Sequence, residues 1–162
     1  MEGRVWVVGD AVNTDAMYPG FAMRLPIEEA ARYVFHDLRP GWVDEVQEGD
    51  LVVAGKNFGI GSSRPVARLF RLLGVQALLA EEFNSLFHRN CINFGLPALT
   101  VPNATTRFSD GDIARIDIEV GSVQNLSTGW SHQATPIPSM MREIIDAGGL
   151  LPRLAREGFM PR

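Results

Sequence analysis

Cysteine is nearly absent from this sequence: Cys91 is the one thiol in 162 residues. A single thiol closes no internal disulfide and holds neither a zinc ion nor an iron–sulfur centre unaided, so a reducing compartment fits. His36, His88 and His132 are far apart and lack metal-ligand spacing, so no metal site is expected in this chain. Positive charge is also in short supply. The 15 Lys and Arg against 19 Asp and Glu leave a formal net charge of −4, the opposite of the basic footprint of nucleic-acid binding. The same balance argues against an anionic membrane surface, and any anionic substrate must be drawn by locally placed arginines. No apolar run approaches the roughly 18 residues of a membrane span. Met1-Glu2-Gly3-Arg4 opens without the basic and then apolar stretch of a signal peptide. A cytoplasmic protein is expected, with neither membrane nor nucleic acid among its partners.

What is present is an ordinary globular composition, 46% hydrophobic and 21% charged, enough for a core without staples. With no repeat and no low-complexity linker, residues 1–162 read as one domain. Arg4 to Val8 is rich in Val and Trp and runs into Gly9-Asp10, which predicts a strand entering a loop. Ile27, Ala30, Ala31, Val34 and Phe35 recur at helical spacing behind Pro26. A strand from Leu51 to Ala54, a Gly-rich loop from Gly55 to Ser63 and a helix bearing Val66, Leu69, Phe70 and Leu73 follow, ended by Gly74. Val75 to Ala80 predicts a buried strand. Phe83 to Phe94 predicts a helix with Leu86, Phe87, Cys91 and Phe94 turned inward, closed by Gly95. Strand, Gly loop, helix, strand, helix is the pattern of parallel-sheet units.

After Leu99 the texture changes. Ile113 to Val120 alternates apolar and polar residues, and Val123 to Leu126 and Ser131 to Thr135 complete a small antiparallel group. A helix starts near Pro138 and runs through Met140, Ile144 and Ile145 to Gly148-Gly149, and Leu150 to Gly158 adds one more turn. The fold class is α/β.

The stretch richest in chemistry is Gly55-Lys56-Asn57-Phe58-Gly59-Ile60-Gly61-Ser62-Ser63-Arg64-Pro65. It follows a strand and opens a helix, so its backbone amides are expected to attract an anion. Gly59 and Gly61 permit positive φ and close backbone approach. Ser62 or Ser63 suits the helix N-cap, with Pro65 in the first turn. Arg64 has the wrong sign for a helix N-terminus, at a cost of roughly 0.3–1 kcal/mol that a bound carboxylate would reverse. A strand-to-helix turn with a solvated arginine would use the same glycines. A nucleotide-binding Walker loop is excluded, because Gly55-Lys56 stands at the start of the stretch; a dinucleotide fingerprint is excluded by Arg64 where a glycine is needed. The serine-hydrolase pattern G-x-S-x-G is absent as well.

Gly55 to Arg64 resembles the signature of the aconitase superfamily swivelling domain, in particular the stand-alone small subunits of isopropylmalate isomerases and homoaconitases. Three further segments agree, in the expected order. Gly9-Asp10 with Asn13-Thr14-Asp15 resembles the family's G-D-x-x-x-T-D element. Phe87-His88-Arg89-Asn90-Cys91-Ile92-Asn93-Phe94-Gly95-Leu96 resembles its F-x-R-N-x-x-N-x-G-L helix, and Pro136-Ile137-Pro138 with Gly148-Gly149-Leu150 its C-terminal element. Together they span nearly the whole chain.

The resemblance implies a swivelling β/β/α domain with a mixed sheet flanked by helices. It implies a large partner subunit that holds a [4Fe–4S] cluster through its own cysteines, this chain binding none. The substrate would be a small 2-hydroxy di- or tricarboxylic acid, and the reaction the isomerisation of 2-isopropylmalate to 3-isopropylmalate in leucine biosynthesis. By the same resemblance Ser62 is the general base, Ser63 assists by hydrogen bonds and Arg64 grips a carboxylate. Thr14 and Asp15 would shape the pocket, although Asp15 also suits a plain Asx turn. Substrate choice would rest on the segment from Pro19 to Leu25: Arg24 could meet a distal carboxylate, or Phe21, Met23 and Leu25 could line a pocket for an isopropyl group.

The chain departs from the family pattern in carrying Ile60 where Cys is usual, and Pro65 and Val66 where Glu and then His or Gln are usual. These departures leave open another alkyl-malate or a homoaconitase-type substrate, and a binding module that keeps the fold without the chemistry. Among the remaining residues, Cys91 reads as packing, His88 as a helix-surface residue, Arg89 as a structural ion pair and Lys56 as either a contact or a solvated lysine.

Overall fold

The structure is a computed structural model that describes residues 1–61 and 64–160. Ser62 and Ser63 lie outside the described residues. A curled seven-stranded mixed sheet, ordered β4-β3-β2-β1-β5-β6-β7, carries helices against it. The strands are β1 (Glu2–Val7), β2 (Leu51–Ala54), β3 (Ala77–Ala80), β4 (Ala98–Thr100), β5 (Ile113–Asp117), β6 (Ser122–Asn125) and β7 (Ser131–Gln133). Strands β1 to β4 run parallel, whereas β1–β5, β5–β6 and β6–β7 are antiparallel. Strand β1 changes partner midway: Glu2, Gly3 and Arg4 pair with β5, and Val5, Trp6 and Val7 pair with β2.

Eight α-helical segments are described: α1 (Thr14–Met17), α2 (Ile27–Ala30), α3 (Trp42–Glu45), α4 (Val66–Leu72), α5 (Ser85–Asn93), α6 (Ala104–Arg107), α7 (Ser139–Asp146) and α8 (Leu150–Arg156). None is long and apolar enough to cross a membrane. Helices α4 and α5 end as expected. Gly74 and Val75 donate back to Arg71 and Phe70, and Gly95 and Leu96 to Ile92 and Cys91, the paired bonds that close a helix.

The period of 2 along each strand divides the core between two faces. Trp6, Val52, Leu78 and Ala98 meet Phe35, Trp42, Phe58, Phe70 and Phe87 on one face. Val5, Leu51, Val53, Leu79 and Leu99 share the other with Phe108 and with Ile116 and Val123 of the antiparallel strands. Where β1 changes partner, donors gather on one buried carboxylate. The buried Asp50 carboxylate accepts from Trp6 Nε1 at 2.8 Å, Arg4 Nη2 at 2.8 Å and Gln47 N at 2.9 Å. The Arg39 guanidinium beside Asp110 holds its carboxyl below the usual carboxylate range, with Val7 N–H also donating to it.

Several expectations change. The helix expected from Ile27 to Phe35 is one α-turn and one 3-10 turn, Ala31–Tyr33, after which Val34 is extended and Phe35 sits at φ +59°. Burial explains the break: Phe35 is fully buried against Trp42 and Phe70, and its amide donates to Ala16 O. Strand β5 stops at Asp117 because that carboxylate accepts from the Glu119 and Val120 amides, making a turn where more strand was expected. Leu86, expected inside, is 46% exposed; Phe87, Cys91 and Ile92 form the inward face of α5. The N-cap position of α4 is Pro65, with no side-chain hydrogen bond, and not a serine; Pro65 therefore precedes the first turn. Strand β4, helices α1, α3 and α6, and a 3-10 helix at Gly20–Arg24 are additional to the elements expected.

Candidate active site

The loops leaving β1, β2 and β3 emerge at one end of the parallel strands and are stitched together. Gly55 N donates to Gly9 O at 3.1 Å, Ala11 N to Lys56 O at 2.8 Å, Gly59 N to Val12 O at 2.9 Å and Thr14 N to Ile60 O at 2.9 Å. On the other side Phe58 N donates to Glu82 O, and Asn84 N to Phe58 O. Asp10 completes the seam by accepting from Lys56 N at 2.8 Å, and a Cβ at Gly55 would collide with that carboxylate. Gly59 sits at φ +87° under the Phe87 ring, leaving no room for a side chain. Phe58 is buried beneath, between Phe83 and Phe87.

These bonds narrow one electrostatic expectation to the later part of the loop. The amides of Gly55, Lys56, Phe58 and Gly59 already have protein acceptors, so they cannot be the source of attraction for an anion. Arg64 adds a positive charge at the end of the loop. Its Nη1 donates to Tyr18 O at 2.7 Å and pairs with the Asp15 carboxylate. Its carbonyl accepts from Asn90 Nδ2 at 3.2 Å, which anchors the backbone on α5. The Arg64 side chain is 19% exposed and that of Asp15 69%, so the pair lies where a solute can reach it. Asp15 also offsets the unfavourable placement of a cation ahead of α4.

The Asx turn considered for Asp15 belongs to its neighbour: Asn13 Oδ1 accepts from Ala16 N at 2.9 Å and caps α1. Thr14 is buried, with its hydroxyl against Gly61, where a Cβ would lie 2.9 Å away. Phe21, Met23 and Arg24 all lie exposed on the 3-10 helix Gly20–Arg24, whose buried anchor is Ala22. Gly20 borders the Arg64 guanidinium. Leu25, by contrast, is half-buried and packs against the core. Among the described residues Arg24 makes no ion pair.

The structure brings Thr14, Asp15, Arg64 and the 3-10 helix together. The expected base Ser62 and its neighbour Ser63 fall outside the described residues, between Gly61 and Arg64. His88 stands apart, its Nε2 3.3 Å from Ala98 O and its ring on Phe83. Arg89 is exposed and, among the described residues, makes no ion pair, contrary to expectation. Two contributors were not foreseen. Asn90 lies in the quoted helix motif without an assigned role; Tyr18 acts through its backbone carbonyl, which no side-chain pattern records.

Cys91 is fully buried, burial pushes its thiol up, and among the described residues no three His, Cys, Asp or Glu side chains come together as metal ligands. Pro65 and Val66 supply no polar group where the resembled family carries Glu and His or Gln, and Val66 is fully buried among apolar residues.

The fold and this loop arrangement are those of an aconitase-type domain: residues 29–104 match the family described as the aconitase C-terminal domain. The chain is 47% identical to the 3-isopropylmalate dehydratase small subunit of Methanosarcina acetivorans over 93% of this chain and 94% of that one. It is 38% identical to the isopropylmalate/citramalate isomerase small subunit of Methanocaldococcus jannaschii over 97% and 95% of the two chains. A crystal structure of a 3-isopropylmalate dehydratase from Methanocaldococcus jannaschii superposes with a TM-score of 0.89 at 34% identity, covering 97% of this chain and 94% of that one. The chain belongs to the family of 3-isopropylmalate dehydratase small subunits.

Proposed function

We propose that this chain is the small subunit of a cytoplasmic hydro-lyase that isomerises 2-isopropylmalate to 3-isopropylmalate by dehydration and rehydration. A large subunit would hold the [4Fe–4S] cluster. The observation that carries the reading is Arg64, fixed by Tyr18 O and Asn90 at the mouth of the stitched loops, beside Asp15. A substrate carboxylate is the natural partner for that guanidinium, and it competes with Asp15 for the same donors. Charge-assisted bonds of this kind contribute roughly 1.5–3 kcal/mol each.

Ser62 is the general base. It takes the proton from the carbon next to a substrate carboxylate and returns it in the rehydration step. An alkoxide is strongly disfavoured in water, and the adjacent Arg64 charge favours it. Ser63 hydrogen-bonds the bound acid. Thr14 supports Gly61 from below, and Phe21, Met23 and Arg24 border the substituent that distinguishes one alkyl-malate from another. Pro65 and Val66 favour a second reading within the same chemistry, a different alkyl-malate such as the citramalate in the name of the Methanocaldococcus relative.

The test is anaerobic purification of this chain from its native cells, with assay of iron, sulfide and dehydration of 2-isopropylmalate, 2-methylmalate and homoaconitate-type acids. A cluster-bearing partner that co-purifies with activity is expected. In that complex Ser62→Ala should retain assembly and lower turnover by about 10² to 10⁴. Arg64→Lys, which replaces a fork with a point charge, should raise the substrate KM about tenfold. Full turnover in Ser62→Ala would remove the base assignment.

A further inference from the structure

Phe21, Tyr33 and His36 form a closed ring of aromatic contacts. The Phe21 ring meets Tyr33 edge-on at 5.0 Å and 85°, and His36 at 5.8 Å and 78°. Tyr33 and His36 meet at 5.6 Å and 67°. The backbone that presents Tyr33 and His36 is strained at Phe35, a bulky side chain at φ +59°. That strain is held by burial of Phe35 against Trp42 and Phe70 and by its amide bond to Ala16 O at 3.2 Å. The consequence is specific: a regular helix through residue 35 would carry His36 off in the direction of the helix, whereas the turn at Phe35 sets it beside Phe21. The same bond to Ala16 links the segment to α1, whose Asp15 pairs with Arg64.

Phe21 is itself the second residue of the 3-10 helix Gly20–Arg24, and a Cβ added at Gly20 would lie 4.0 Å from Arg64 Nη2, so the segment runs close to the guanidinium. We infer that Tyr33 and His36 are positioning residues that clamp Phe21 and so fix how far the Gly20–Arg24 segment stands from Arg64, which sets the size of substituent the enzyme accepts. This rests on the proposed hydro-lyase reading for its substrate, but the clamp itself is a property of this chain. The substrate class it governs is the 2-alkyl-2-hydroxy dicarboxylic acids, graded by the bulk of the alkyl group.

The experiment compares a ring-removing pair, Tyr33→Leu with His36→Leu, against a ring-keeping pair, Tyr33→Phe with His36→Phe. Hydrogen exchange of the peptide 19–26 in the full chain reads the clamp. The ring-removing pair should exchange about tenfold faster there, with peptides from β2 and β3 unchanged, and the ring-keeping pair should match the natural sequence. In the assembled enzyme the ring-removing pair should raise KM for 2-isopropylmalate about tenfold, with kcat within about twofold and KM for 2-methylmalate little changed, so that the preference between them shifts. Unchanged exchange in peptide 19–26 overturns the clamp whatever the activity. Faster exchange with an unaltered preference overturns its part in specificity. If the natural complex turns over no alkyl-malate, the hydro-lyase reading and the specificity role built on it both fall, and the exchange result alone decides the clamp.

Discussion

The two halves of the sheet meet inside β1 and follow different rules. On the parallel side every residue of β2 and β3 is buried. On the antiparallel side β5 and β6 bury alternate residues, and Arg115 and Asp117 face solvent. A strand covered on both faces has only its ends free for polar chemistry, and parallel strands present like ends together. The loops Gly9 to Asp15, Gly55 to Gly61 and Glu81 to Asn84 therefore converge, whereas loops of an antiparallel meander alternate between opposite ends. The candidate site lies on the half whose strands read as plain apolar runs.

The sharpest test of this contrast uses two glycines with the same φ of +87°, Gly59 at the site and Gly111 before β5. A Cβ at Gly111 meets nothing within 4 Å, and one at Gly59 meets the Phe87 ring. Gly111→Ala should cost about 1–2 kcal/mol from backbone strain alone. Gly59→Ala should cost about 3–4 kcal/mol, since overpacking adds to strain. Urea unfolding of both variants measures the difference, and equal losses would mean that the Phe87 contact relaxes without cost.

A smaller effect compares strand faces. Val52→Thr places a hydroxyl in a fully buried site of β2 and should cost about 1–3 kcal/mol. Arg115→Thr on the exposed face of β5 should stay within about 0.5 kcal/mol, although it removes the 3.0 Å surface pair with Glu2. Similar denaturation midpoints for the two would erase the distinction between halves.

A small effect that depends on pH lies at the junction. Because Arg39 depresses the folded-state pKa of Asp110, the stabilisation is present above the unfolded carboxylate pKa and is lost as pH falls through the lower, folded one. Asp110 is partly exposed, so Asp110→Asn should cost no more than about 1 kcal/mol near neutrality. The gap between the two proteins should close on acidification. Thermal melts across the acid range check this, and a gap that persisted in strong acid would point to lost packing.

The same contrast explains which parts of the molecule were legible in the sequence. Strand β2 coincides with its apolar run, and the helix ends at Gly74 and Gly95 follow from local bonding that a glycine announces. The Gly-rich loop and Arg64 stand out because their composition is unusual for a strand-to-helix turn. Strand β4 is only Ala98–Thr100, too short to display a period. The break at Phe35 was hidden for the opposite reason, since the helical spacing continues through a residue that tertiary burial turns out of the helix. Similarly, nothing in Tyr18 advertises a carbonyl that accepts from Arg64. Leu86 fits the inward face by spacing yet points outward, because Phe87 and Cys91 take the core side of α5.

Cys91 gives this half of the molecule a timer. The thiol is fully buried in α5 within the aromatic core, and its raised pKa keeps it protonated and unreactive. A soluble alkylating reagent can reach it only when α5 lifts from the sheet. Where alkylation outpaces reclosing, the rate of labelling under native conditions therefore counts openings around α5, without a probe having to be introduced; where it is slower, the rate reports the open population.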